Sequence, residues 1–151
     1  MSFYTRPITK KRLMKTMKNL LVGLLYLLGL WMLPITLWAQ DDGSETLRKI
    51  ESGFSNNDMR MVLQFASDPI FVRTPDDNAS YSPVQARYVL ENFFRTQPAR
   101  GFRFTDLSPG KNAAFATGEF RSRNGQSMRI YVRLRRNGSS MELKEVRITT
   151  S

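Results

Sequence analysis

Residues 127–138 read SMRIYVRLRRNG, and the fold is predicted from the pattern of this segment. From Met128 to Arg135, apolar residues alternate with Arg and Tyr, which is the period of a β-strand with one buried face. The stretch ends in Asn137-Gly138, a dipeptide that two-residue hairpin turns favour. It is therefore predicted to be a strand that enters a hairpin, with one apolar and one basic face.

A second pair, Asn124-Gly125, predicts another hairpin before this strand, so the register of the sheet can be calculated. If both pairs are the central residues of two-residue turns, Ile130 lies opposite Glu119 on one side and Glu145 on the other. A loop over 108–111 sets Phe104 beside Phe115 and Phe102 beside Thr117. The predicted apolar face comprises Phe102, Phe104, Phe115, Met128, Ile130, Val132, Leu134, Met141 and Leu143. The predicted opposite face comprises Arg103, Ala114, Ala116, Arg129, Tyr131, Arg133 and Arg135.

Three helices are predicted before this meander, and they are the available cover for its apolar face. The first covers about 44–54 after a capping-box spacing, and the second follows Asn56-Asn57-Asp58 and is stopped by Pro69. A strand is predicted over 70–74, followed by a loop over 75–79. The third helix starts at Ser82-Pro83-Val84-Gln85, which combines an N-cap, a Pro at the first helical position and a capping-box Gln. The predicted fold class is α+β, with N-terminal helices packed on an antiparallel sheet.

The first 39 residues have the order of a secretory signal. The basic stretch Lys10 to Lys18 precedes an uncharged, Leu-rich run over 19–39, and polar residues follow. We expect cleavage after Ala39 and an exported domain over 40–151, in the periplasm or cell envelope. An uncleaved anchor with its basic end inside is the alternative, because about twenty apolar residues can also span a bilayer. In that case the leader is the protein's contact with the membrane.

Composition excludes several classes of function. The chain has no Cys and no His, which removes thiol chemistry, disulfides and the commonest general base and metal ligand. The net charge is +10, but six of the 23 Lys and Arg and none of the acids lie in the first 40 residues. The remaining charge of +4 needs no nucleic-acid partner. No cofactor is expected because there is no Gly-rich phosphate loop, and no metal because the acidic pairs lack the spacing of a calcium loop.

The candidate pocket residues are those that the calculated register turns toward the helices, together with Tyr81 before the third helix. Glu119 and Glu145 flank Ile130 there, and two carboxylates in a partly apolar cavity would supply a general base. The alternatives are a salt-bridged rim and a bulge at Lys144-Glu145, which would turn Val146 and Ile148 inward and Glu145 and Arg147 outward. The hydroxyl of Tyr81 would point into the cavity mouth, or its ring would staple the helix cap. The candidates are Tyr81, Phe104, Thr117, Glu119, Ile130 and Glu145.

The opposite face supplies the candidates for surface binding. They are Arg129, Tyr131, Arg133 and Arg135. These side chains would bind an acidic partner or an anionic polymer, or would only keep the sheet soluble. Because a two-fold axis would bring several Arg together, we expect a monomer or a weak homodimer.

Several short motifs resemble a known family. They are Tyr81-Ser82-Pro83-x-Gln85-Ala86, Leu90-x-x-Phe93-Phe94 and Gly125-x-x-x-Arg129-Ile130-Tyr131. They resemble the exported bacterial proteins grouped as domain of unknown function 4783, over about residues 44–149. That family is similar to the nuclear transport factor 2-like superfamily, which includes SnoaL-like and ketosteroid-isomerase-like proteins. The resemblance implies a curved sheet wrapped on helices into a cone, a pocket between them and frequent homodimers, but no catalytic set matches residue by residue.

The expected function is that of a non-enzymatic exported module. It would bind a small hydrophobic ligand or an envelope protein through the cone or the sheet. One alternative is a carboxylate-dependent isomerase or hydratase of the ketosteroid-isomerase-like kind. Another is a binder of anionic polymers through the Arg-rich sheet face.

Overall fold

The computed structural model describes residues 19–22 and 42–151. Residues 19–22 are helical, and the rest of the predicted leader, with its cleavage position, lies outside the described residues. None of the helices in these two ranges has the length and apolar character that a membrane span requires.

The three predicted helices are present as α1 (Ser44–Ser55), α2 (Met59–Leu63) and α3 (Pro83–Thr96). At α1, the Asp42 carboxylate accepts a hydrogen bond from the Ser44 N–H at 3.0 Å, and Gly43 occupies the N-cap at φ 91°. This arrangement stands in place of the predicted capping box. At α2, the Asp58 carboxylate caps the helix by accepting from two backbone N–H groups. Helix α2 ends at Leu63, well before Pro69, because the chain turns into a strand there.

The start of α3 is confirmed. Ser82 Oγ accepts from the Gln85 N–H at 3.4 Å, and Gln85 Oε1 accepts in return from the Ser82 N–H at 3.1 Å. Pro83 occupies the first helical position. This reciprocal cap satisfies donors that the helix leaves open, and it brings the buried side of α3 onto the sheet.

Six strands form one sheet in the order β2-β1-β6-β5-β4-β3. The strands are β1 (Ala66–Arg73), β2 (Asn78–Tyr81), β3 (Ala99–Ser108), β4 (Ala113–Ser122), β5 (Ser127–Asn137) and β6 (Ser140–Thr150). The β3–β6 meander is antiparallel, as predicted, and β1 pairs with β6 in parallel. The β1–β2 hairpin was not predicted, since residues 78–79 were assigned to a loop. It extends the sheet by two strands beyond β6.

Phenylalanine rings fill the space between the helices and the inner face of the sheet. Phe54 of α1 lies 5.2 Å from Phe102 of β3, and Phe94 of α3 lies 5.0 Å from Phe120 of β4, between ring centroids. Phe104 continues the cluster at 5.0 Å from Phe102. All five rings are buried, and their tilted and edge-on arrangements are the favourable ones for aromatic pairs. This part of the cone is therefore a packed core.

The register of β4 differs from the prediction by one residue, and the strand is turned over. Glu119 lies opposite Arg129, not opposite Ile130. The reason is the turn: the Ser122 N–H donates to the Gln126 carbonyl, so residues 123–125 form a three-residue loop that Gly125 closes at φ 83°. A one-residue slip exchanges the two faces of a strand. The residues that face inward are Ala114, Ala116, Gly118 and Phe120, and those that face outward are Phe115, Thr117 and Glu119.

The β3–β4 register is corrected as well. Phe104 lies opposite Gly118, not beside Phe115, and Phe102 lies opposite Phe120, not beside Thr117. The ladder shifts again between Phe104 and Asp106, so the strands do not follow one register from the loop onward. Both Phe side chains still face the core, as predicted.

In the last hairpin, the bulge alternative is the correct one. Leu134 pairs with Leu143 and Arg133 pairs with Glu145, which leaves Lys144 as an extra residue in β6. As a result, Ile130 lies opposite Ile148, and Glu145 leaves the apolar face. The central residues of the turn are 138 and 139, one position beyond the predicted Asn137-Gly138. The β6 partner of each β5 residue near the turn therefore shifts by two positions, and a shift of two leaves the inward face of β5 unchanged.

Candidate binding surface

The outer face of the sheet, which lies opposite the core, carries two ordered rows of side chains. In the first row, Phe71, Glu145, Arg133 and Phe115 are neighbours across strands β1, β6, β5 and β4. In the second row, Arg73, Arg147, Tyr131 and Thr117 follow in the same strand order. The two rows place aromatic rings and guanidinium groups side by side at the centre of the outer face.

Glu145 is held by two arginines. Its side chain is 6% exposed, Arg133 Nε donates to Oε2 at 2.9 Å, and Arg147 Nε donates to Oε1. A buried carboxylate is stable only when such partners satisfy it, and here each oxygen has one. Within residues 42–151, we find no hydrogen bond that engages the terminal guanidinium nitrogens of Arg133 and Arg147. The two arginines, which we call the guanidinium pair, are thus positioned by Glu145, and their side chains are partly exposed.

Two aromatic rings adjoin the guanidinium pair. The Arg147 guanidinium carbon lies 5.5 Å from the centroid of the Tyr131 ring, within the range of a cation–π contact. Phe115 stacks beside Tyr131 with centroids 6.4 Å apart, and it is 38% exposed. Burial raises the pKa of the Tyr131 hydroxyl, and the nearby Glu145 carboxylate raises it further. The phenol is therefore neutral at ordinary pH.

The other acidic groups of the outer face are paired, whereas several of its arginines form no ion pair within residues 42–151. Glu142 accepts from Lys144 Nζ at 2.8 Å and from Asn137 Nδ2 at 2.6 Å, and these hydrogen bonds lower the pKa of its carboxyl. In the described part of the chain, neither Arg129 nor Arg135 forms an ion pair. The outer face therefore has a surplus of positive charge around a fixed centre.

The predicted surface candidates Arg129, Tyr131, Arg133 and Arg135 all lie on this face. The predicted pocket candidates do not come together. Phe104 and Ile130 are core residues, with 7% and 0% exposure. Thr117, Glu119 and Glu145 were expected on the helix-facing side and lie on the outer side, for the register reasons given above.

Tyr81 lies apart from the other candidates, at the end of β2. Its hydroxyl donates to the Asp77 carboxylate, and this bond raises the pKa of the tyrosine. The half-buried ring packs against the edge of the core. Tyr81 thus joins the β1–β2 turn to the body of the domain.

Two open clefts border the sheet. One of about 600 Å³ includes Arg100, Arg103 and Arg121 together with Glu119, at the β3–β4 side. The other, of about 450 Å³, lies at the β1–β2 turn and includes Asp76 and Asp77. Across residues 19–22 and 42–151, no cluster of three acidic side chains is suited to a metal ion.

Phe115 was expected on the inner face and lies on the outer one, whereas Arg147 lies outward as the bulge alternative predicted. The signal for Phe115 is the spacing of small residues at 114, 116 and 118, which fit beneath the core phenylalanines better than a second row of rings would. The signal for Arg147 is the bulge at Lys144, which reverses the faces of the rest of β6. Both residues complete the centre of the outer face.

The sequence profile of a family described as Domain of unknown function (DUF4783) matches residues 47–149. The chain belongs to the DUF4783 family. Solved DUF4783 proteins are similar to it. One from Bacteroides ovatus is 14% identical with a TM-score of 0.64, and the similarity covers 68% of this chain and 93% of the other. One from Bacteroides fragilis is 19% identical with a TM-score of 0.62 and covers 68% and 96%.

The fold of this DUF4783 protein is nuclear transport factor 2-like, as predicted. An NTF2-like protein of unknown function from Shewanella baltica is similar to it, at 17% identity and a TM-score of 0.54, over 73% of this chain and 91% of the other. No curated protein matches the chain. The comparisons thus define a fold and a family, and the chemistry of the outer face bears on the function.

Proposed function

We propose that this DUF4783 protein is a non-enzymatic exported module that binds a partner protein through the outer face of its sheet. The observation that carries the proposal is the centre of that face, where the guanidinium pair is fixed by Glu145 and flanked by Tyr131 and Phe115. Tyr, Phe and Arg are the residue types that protein interfaces favour at their centres. Because these groups are already ordered, a partner would lose little entropy in arranging them.

The partner-protein function is favoured over a small hydrophobic ligand in the cone. The phenylalanine cluster around Phe54, Phe94 and Phe120 occupies the space where such a ligand would lie. A ligand would have to displace buried rings, and adding atoms to a core that is already filled destabilises the fold. Mass spectrometry of the natively produced protein separates the two functions, since a stoichiometric apolar molecule would support the ligand.

The carboxylate-dependent isomerase or hydratase is disfavoured for a similar reason. Both carboxylate oxygens of Glu145 are engaged by arginines, so neither oxygen is free to accept a substrate proton. Glu119 is exposed, and its Oε2 atom lies 4.0 Å from Arg121 Nη2. Neither carboxylate stands in an apolar enclosure with a donor for an oxyanion.

Site-specific photocrosslinking tests the proposed function. A photoreactive amino acid at Phe115 would be compared with the same amino acid at Tyr88, an aromatic on α3 that is 61% exposed. In intact cells that produce the protein, we expect a discrete protein adduct from position 115 and none from position 88. Adducts from position 88 alone, or from neither position when the probe is active, would contradict the proposal.

A further inference from the structure

The guanidinium pair has the geometry of an anion clamp. Glu145 accepts from the Nε atom of Arg133 and of Arg147, which leaves the terminal nitrogens of both groups without a hydrogen bond in the described part of the chain. Their side chains remain 37% and 49% exposed. Arginine nitrogens in a fixed fork bind carboxylate oxygens in a bidentate manner and more strongly than a mobile cation does.

Resting on the proposed function, we propose that the guanidinium pair binds a carboxylate side chain, so that the partner presents an acidic segment. The charge of the surroundings supports this chemistry. Arg135 lies two residues from Arg133 on the same strand and the same face, about 7 Å away. Acidic side chains on alternate positions of an extended segment have the same spacing. The segment would therefore lie along β5.

The surface suits a protein segment better than a continuous polyanion. Phe115 and Tyr131 offer apolar area between the cations, which a protein segment can cover with its own apolar side chains. Glu119, Glu142 and Glu145 are interspersed among the arginines of the outer face. A polymer with charge at every unit would meet these carboxylates and be repelled by them.

Fluorescence anisotropy with the full-length protein tests the clamp. The probe is a labelled, end-capped peptide of alternating Glu and Tyr, and its counterpart has Gln in place of Glu. We expect the Glu peptide to bind about tenfold more tightly than the Gln peptide, as loss of a charge-assisted fork predicts. We expect Arg133→Ala to weaken the Glu peptide about tenfold, and Arg133→Lys to weaken it several-fold, since Lys keeps the charge but not the fork.

Arg129→Ala is the matched control, because Arg129 is a cation on the same strand and face but lies four residues from Arg133 and does not contact Glu145. It is expected to weaken the Glu peptide less than about twofold. A thermal melt establishes that each variant is folded, and if Arg133→Ala does not fold, Arg133→Lys decides. If Arg133→Lys binds like the wild type and Arg129→Ala is as weak as Arg133→Ala, the attraction is general and the clamp is refuted.

Three further outcomes would also overturn the clamp. Tighter binding of heparin than of the Glu peptide, with the same response to Arg133→Lys, would mean that the site serves an anionic polymer. Self-association that saturates the face, measured by sedimentation, would mean that the occupant is a second copy. Protein adducts at position 115 without binding of the Glu peptide would refute the clamp and leave the proposed function standing.

Discussion

Gly118→Ala is expected to destabilise the domain by about 2–3 kcal/mol, the range of an overpacked core site. Gly118 faces inward from β4, against the neighbouring strand β3. A Cβ atom there would lie 2.5 Å from the Arg103 carbonyl oxygen and 2.6 and 2.7 Å from two atoms of the Phe102 ring. The carbonyl belongs to the backbone and cannot rotate away, and the ring is packed 5.2 Å from Phe54. A methyl group therefore forces the strands or the ring to shift.

Urea denaturation of Gly118→Ala and Gly101→Ala measures this effect against a matched control. No atom lies within 4 Å of a Cβ at Gly101, on β3. Ala there reduces the freedom of the unfolded chain, so Gly101→Ala should be neutral or stabilise by about 0.5–1 kcal/mol. If Gly118→Ala costs less than about 0.5 kcal/mol and matches Gly101→Ala, then Phe102 does not lie over Gly118 and the β3–β4 register is wrong.

Three further predictions follow from individual contacts and from the leader. Glu51 Oε1 accepts from the Phe104 N–H at 2.8 Å and so covers part of the edge strand β3. Glu51→Ala should lower the free energy of unfolding by about 1–2 kcal/mol, and because it uncovers the strand edge it should increase light scattering on storage. Glu45→Ala, on the solvent side of α1, should have neither effect. Burial raises the pKa of the Tyr131 phenol above that of free tyrosine. Its contribution to stability is therefore complete below the pKa of the unfolded chain and is lost as the pH rises through the pKa of the folded protein. A difference absorbance titration against Tyr131→Phe with its midpoint at or below that of free tyrosine would contradict this. Intact-mass analysis of the protein recovered from the envelope should give a chain that begins at Gln40, and a full-length mass with membrane retention would establish the anchor instead.

Local chemistry was predictable wherever a few neighbouring residues determine the structure. The start of α3 depends on Ser82, Pro83 and Gln85 alone, and the structure has the expected reciprocal bonds. The alternation over 128–135 likewise gave the correct faces of β5, because each apolar residue there is buried in the core. These features need no knowledge of distant parts of the chain.

Register was not predictable, because it depends on how a turn is closed and on what fills the core. An Asn-Gly pair is compatible with a two-residue turn and with a three-residue loop in which Gly takes the left-handed position, and residues 123–125 adopt the second. The apolar pattern of β4 did not decide between them. Phe115 suggests an inward position by its hydrophobicity, but the inward position 118 has no room for a ring, since a Cβ there would already lie 2.6 Å from the Phe102 ring.

The one-residue shift in β4 also changes the functional reading of the whole sheet. The predicted register puts Glu119 in the cavity and Phe115 in the core, which gives a pocket with a carboxylate and an outer face with one aromatic. The observed register exposes Glu119 and adds Phe115 to Tyr131, so the cavity loses its base and the outer face gains a stacked pair. Since a small sheet protein has two faces and one of them must form its core, an inner face packed with phenylalanines favours the proposed binding through the outer one.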